Sequence, residues 1–127
     1  MMTNACRIDE TLKQGMVVSH QDEIRLMTVE RVAPTRFGPA VSCSWFSGET
    51  LRFGDVPCRV LDTFPHPVVR PNIWKGVEVR LRSGGPVMTV ISARHDTDTA
   101  LCEWDGPEGH PRRRSFPVDC LVTSILG

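Results

Sequence analysis

The sequence predicts an all-β protein built as two tandem small β-barrels, and three observations predict it. First, the chain repeats itself. Gly15-Met16-Val17-Val18 returns 61 positions later as Gly76-Val77-Glu78-Val79, and Met27-Thr28-Val29 returns as Met88-Thr89-Val90. Each half then carries Cys-x-Trp, as Cys43-Ser44-Trp45 and Cys102-Glu103-Trp104, followed by a phenylalanine, Phe53 or Phe116. Each closes on Pro, Cys and aliphatics: Pro57-Cys58-Arg59-Val60-Leu61 and Pro117-Val118-Asp119-Cys120-Leu121. Matched features in one order mark a duplicated unit. Second, the segments between breakers read as strands. Third, no segment has the length and period of a long helix.

Taken in order, residues 1–12 form a lead-in, in which 6–13 could close a helical turn or two. The first barrel spans 13–63, with strands expected at 16–18, 26–32 and 41–45. A linker follows over 64–74, where Pro65, Pro67 and Pro71 remove donors and stiffen the chain. The second barrel spans 75–127, with strands at 77–81, 87–93 and 100–104. All six strand segments are rich in β-branched and aromatic residues. In Cys43-Ser44-Trp45, period-two alternation puts Cys and Trp on one face and Ser on the other, as half-buried strands require. Short strands in so small a unit suit a barrel, because closure removes open edges. One such unit has a thin core, and packing two together relieves the shortage.

Composition places the chain among globular proteins. It is 40% hydrophobic and 24% charged over 127 residues. No apolar run is long enough to span a bilayer and no signal-peptide pattern opens the chain, so the cytoplasm is the expected address. Formal net charge is zero, from 15 basic and 15 acidic residues. A body that binds phosphates over its whole surface is therefore not expected. The five cysteines are an odd number without a CxxC, which reads as thiols rather than a disulfide framework.

The second copy resembles the YodC-like family of small bacterial proteins. The residues that carry the resemblance are Gly76, Val79, Leu81, Ser83-Gly84-Gly85-Pro86, Met88-Thr89-Val90, Cys102-x-Trp104 and Phe116. The resemblance implies an SH3-like barrel for each copy, hence two tandem SH3-like barrels joined by a Pro-rich linker. It implies no catalytic residue. The first copy is a degenerate version, with Ser19-His20-Gln21-Asp22-Glu23-Ile24-Arg25 where the Ser-Gly-Gly-Pro turn belongs.

Chemistry-bearing patterns are sparse. The cysteines and His20, His66, His95 and His110 lack the close pairs on which zinc sites are built, so no metal is expected. Cysteines on inward faces behave as small hydrophobes, and no nucleophile-base pair stands out. Gly84-Gly85-Pro86 lacks the phosphate-loop pattern. No catalytic residue and no cofactor are expected. The candidate partner-binding residues are Phe46, Arg80, Arg82, His110, Arg112, Arg113 and Arg114. Phe46 follows an inward Trp45 and so points outward, as an interface anchor does. Arg112-Arg113-Arg114 ends a second-copy insertion, and arginine suits bidentate recognition of carboxylate or phosphate. Alternation lets only Arg112 and Arg114 share a face. Trp74 reads as a staple between barrels or as a contact residue, the staple being favoured.

These features together describe a non-enzymatic protein-interaction module, a small adaptor or inhibitor. One concrete version is phage- or plasmid-encoded and directed at a bacterial defence complex. The alternative is a small-barrel nucleic-acid binder using the Arg112–Arg114 loop.

Overall fold

The computed structural model describes residues 12–23, 25–36, 38–63 and 67–123. Most of the lead-in, the start of the linker including His66, and the last four residues lie outside the described residues. The regular structure is strand, apart from three short 3₁₀ segments. The first copy contributes β1 (Val17–His20), β2 (Leu26–Thr35), β3 (Gly38–Ser47), β4 (Thr50–Pro57) and β5 (Leu61–Thr63). The second contributes β6 (Glu78–Leu81), β7 (Met88–Arg94), β8 (Thr99–Asp105), β9 (Pro111–Pro117) and β10 (Leu121–Thr123). Each set forms a five-stranded antiparallel sheet. The orders are β4-β3-β2-β1-β5 and β9-β8-β7-β6-β10, which are the same order twice.

The repeat extends to backbone detail. Gly15 N–H donates to the Val29 carbonyl at 2.7 Å, and Gly76 N–H to that of Val90 at 2.7 Å. Both glycines hold a positive φ, +93° and +94°, where a side chain would be strained. The ladder slips between Val29 and Arg31, and again between Val90 and Ser92, so the same bulge bends both copies. A 3₁₀ turn precedes the last strand each time, at Cys58–Val60 and Val118–Cys120.

Register also corrects two pairings suggested by residue order. Trp45 faces Arg52 and Trp104 faces Arg112, so the β8–β9 connection is only one residue longer than its counterpart. The three arginines are therefore residues of strand β9, not a loop tip. Phe53 falls at the position of Arg113, while the counterpart of Phe116 is Val56. Phe116 is fully buried and Phe53 is 66% exposed, as different faces demand. Cys58 opens its 3₁₀ turn whereas Cys120 closes its own, so these cysteines are not equivalent. Cys43 and Cys102 are. Cys58 is disulfide-bonded, which corrects the reading of all five cysteines as thiols.

Each copy has its own core. Met16, Val18, Met27, Val29, Val41 and Cys43 fill the first. Val79, Leu81, Met88, Val90, Trp104 and Phe116 fill the second. The alternation read in the sequence explains both, because these positions share the inward face of their strands.

A third buried layer joins the copies. Thr28 and Ser44 sit opposite each other on the outward face of the first sheet, yet both are fully buried. The second copy covers them. Ser83 N–H donates to Thr28 Oγ1 at 2.9 Å, and the Thr28 hydroxyl donates to Ser83 Oγ at 2.7 Å. Trp104 Nε1–H donates to the Glu49 carbonyl at 3.1 Å, and the Cys120 thiol to the Val29 carbonyl at 3.3 Å. At Gly85, φ is +127° and an added Cβ would lie 2.7 Å from Phe46 Cγ. Only glycine permits both that backbone and that approach.

Candidate interaction surface

The predicted site residues do not converge. Phe46 does point out of its own sheet, but the second copy already covers it. Its ring meets that of Trp104 edge to face, with centroids 5.3 Å apart, and with Leu51 it packs against the second core. The contact assigned to an external partner is thus made within the chain. Arg114 is likewise engaged. Its guanidinium grips Glu30 of the first copy with two hydrogen bonds of 2.7 and 2.8 Å. It also lies over the rings of Phe53 and Phe116, at 5.3 and 4.9 Å. Arg113 faces Glu103 across the β8–β9 ladder and binds it at 2.9 Å. Arg112 shares a face with Arg114, as alternation requires, and packs over Gly106.

Arg82 is half-buried and holds backbone. Its Nε–H donates to the Asp119 carbonyl at 2.6 Å and its Nη2–H to the Val69 carbonyl. Desolvation lowers its pKa from the ordinary arginine value, and the nearby Asp119 opposes that. Arg80 is exposed on β6, and His110 is exposed with Nε2 3.9 Å from Glu108 Oε1. Among the described residues no group of three His, Cys, Asp or Glu is placed to hold a metal ion.

The described part of the linker, 67–74, is strapped down rather than free. Val68 packs on the first core and Ile73 on the second. Arg70 bridges two carboxylates, Asp119 at 2.9 Å and Asp98 at 3.1 Å. The hydrogen bond to Asp119, then the charges of Asp119 and Asp98, raise its pKa above the ordinary arginine value. The strap ends at Trp74, whose carbonyl accepts the Val77 N–H at 3.1 Å. The indole itself stays 56% exposed, so Ile73 and not Trp74 is the staple.

Trp74 forms one wall of a 410 Å³ cleft between the strap and the β7–β8 turn. Pro71, Ile73 and Val118 supply apolar surface there, and the rim is polar, with His95, Asp98 and an Arg94 whose guanidinium pairs with Asp96 at 2.7 Å. A second cleft, of 570 Å³, runs between the copies beside Phe53, Arg31 and Asp55. Arg114 lies at that cleft too, but its charge is met by Glu30.

Residue order could not have singled out Trp74 over Trp104. The difference is that Trp104 sits in a strand on the inward face, whereas Trp74 lies just before the turn at Gly76. Compared with protein-family models, curated proteins and solved structures, the chain matches none. Among the described residues no helix is long and apolar enough to cross a membrane.

Proposed function

We propose that the chain is a pair of SH3-like barrels, fused through the Pro-rich strap into one non-enzymatic protein-interaction module. The repeated strand order, the 3₁₀ turn before each last strand and the separate cores support the barrel reading. The observation that carries the function is Trp74, a large aromatic left 56% exposed on the wall of a cleft with an apolar floor and a polar rim. Tryptophan and arginine around an apolar pocket are the composition of interface hot spots. The module acts by occlusion or bridging, as an adaptor or inhibitor. The nucleic-acid alternative loses support, because Arg113 and Arg114 both spend their charge on carboxylates of the chain. The disulfide at Cys58 weighs against a cytoplasmic address, since such bonds persist in oxidising compartments.

The test is capture from bacterial lysate with tagged protein, after nuclease treatment, with Trp74→Ala in parallel. A protein retained by the parent chain and lost by the variant is expected. Recovery of nucleic acid alone, released by high salt, overturns the reading.

A further inference from the structure

The duplicated fold holds an internal precedent for docking. In the second copy the turn between its first two strands, residues 82–86, seats on the first copy through Ser83 and Gly85. Trp104 completes that contact with Phe46 and the Glu49 carbonyl. The first copy carries a segment of the same length at that place, 21–25, with no insertion or deletion in the sequence. Gln21 N–H donates to the Val60 carbonyl at 2.8 Å, as Arg82 N–H does to that of Cys120 at 2.9 Å. The tryptophan equivalent to Trp104 is Trp45.

Among the described residues nothing covers this end. Gln21, Asp22 and Glu23 are exposed, and Leu26 beside them is 57% exposed. Where Phe46 meets Trp104 edge to face in the second copy, Trp45 in the first is covered by Arg25, whose guanidinium lies 4.8 Å from the ring centroid. Among the described residues Arg25 forms an ion pair with Glu23 alone, at 2.7 Å, on the surface. A surface ion pair and an exposed cation–π contact are both weak, so Arg25 is a cover that a partner can displace. Behind it a 430 Å³ cleft lies between the turn and β5, bounded by His20, Asp22, Leu26 and Asp62. Neither Asp22 nor Asp62 makes an ion pair with a described residue. Asp22 stands where the second copy has the neutral Ser83.

We propose that this open end of the first copy docks a basic, aromatic-bearing β-hairpin of a protein partner. Its aromatic ring takes the place of Arg25 over Trp45, and its Lys or Arg side chains meet Asp22 and Asp62. The inference rests on the interaction-module reading and adds a second contact point, remote in sequence from Trp74. Two contact points on one body are what a bridging adaptor requires.

The test uses the full chain, ¹⁵N-labelled, titrated with a synthetic hairpin peptide of alternating Lys and Phe, and with a Glu-for-Lys counterpart. Amide shifts at Ser19–Glu23, Leu26 and Asp62 and at the Trp45 indole N–H are expected with the Lys peptide. Asp22→Asn combined with Asp62→Asn, both exposed and harmless to folding, should weaken binding about tenfold. Shifts confined to the strap at 67–74, equal response to the Glu peptide, or no response overturn the proposal. A concentration-dependent dimer in light scattering that requires Leu26 assigns the end to a second copy and overturns it too. The Trp74-dependent capture can succeed while this titration fails, so the two readings fall separately.

Discussion

Removing the Arg114 guanidinium tests whether the two copies form one cooperative body. The side chains of Arg114 and Glu30 are 29% and 13% exposed, so the pair is largely out of water. Breaking a buried pair from one side costs roughly 3–5 kcal/mol, because the remaining charge is stranded. The residual exposure of Arg114 lowers that to about 2 kcal/mol, and lost stacking on Phe53 and Phe116 adds about 1 kcal/mol. Arg114→Ala should therefore destabilise by about 3 kcal/mol, or about 10 °C in Tm for a chain of this length. Urea unfolding followed by tryptophan fluorescence measures it, since Trp104 is buried at the joint. In a double-mutant cycle with Glu30→Ala, a coupling of about 2 kcal/mol is expected. Coupling below about 0.5 kcal/mol would mean that the bridge is decorative and the reasoning wrong.

Two further predictions concern buried polar groups. Ser44 Oγ is buried between the copies with no hydrogen-bond partner among the described residues, so Ser44→Ala should leave stability unchanged or raise it by about 1 kcal/mol; a clear loss in the same urea assay would show that the hydroxyl is satisfied. Burial pushes the thiols of Cys43, Cys102 and Cys120 up to about 12, with Glu30 adding to the shift at Cys43 and Cys120. Above the ordinary value of 9.0 the unfolded thiols ionise while the folded ones stay protonated. Stability is thus full below pH 9 and falls as pH rises, by roughly 4 kcal/mol at pH 10 for the three together. The same three should resist alkylation at pH 8 until the chain unfolds, and rapid native labelling of any of them would contradict their burial.

The sequence made the architecture readable because duplication and alternation are both local signals. Each can be seen without knowing what touches what. Alternation in the two Cys-x-Trp segments pointed Cys43, Cys102 and Trp104 inward, and all three are buried. The joint between copies was hidden for the converse reason. Thr28 and Ser44 are polar and outward, the ordinary pattern of a wet face, and only the arrival of the second copy makes them dry. Phe46 and Arg114 looked like contact residues and are, but the partner is the other half of the chain. Matching by residue order also paired Phe53 with Phe116, an error that hydrogen-bond register alone exposes. Trp74 was misjudged because its neighbour Ile73 does the packing, and no periodicity distinguishes them in an irregular strap.

The joint between copies is heterologous: the outward sheet face of one unit meets the turn end of the other. Such a contact does not close on itself, and a third unit could add to the second sheet just as the second added to the first. That sheet presents Thr89, Glu103 and Asp105 where the first presents Thr28, Ser44 and Phe46. Two carboxylates replace a small hydroxyl and an aromatic ring; Glu103 already pairs with Arg113, and burying both carboxylates under a further unit would cost their hydration. The outward face of the second sheet is thus chemically unlike the face on which the second copy sits, and the two halves of the duplication are not interchangeable at the joint.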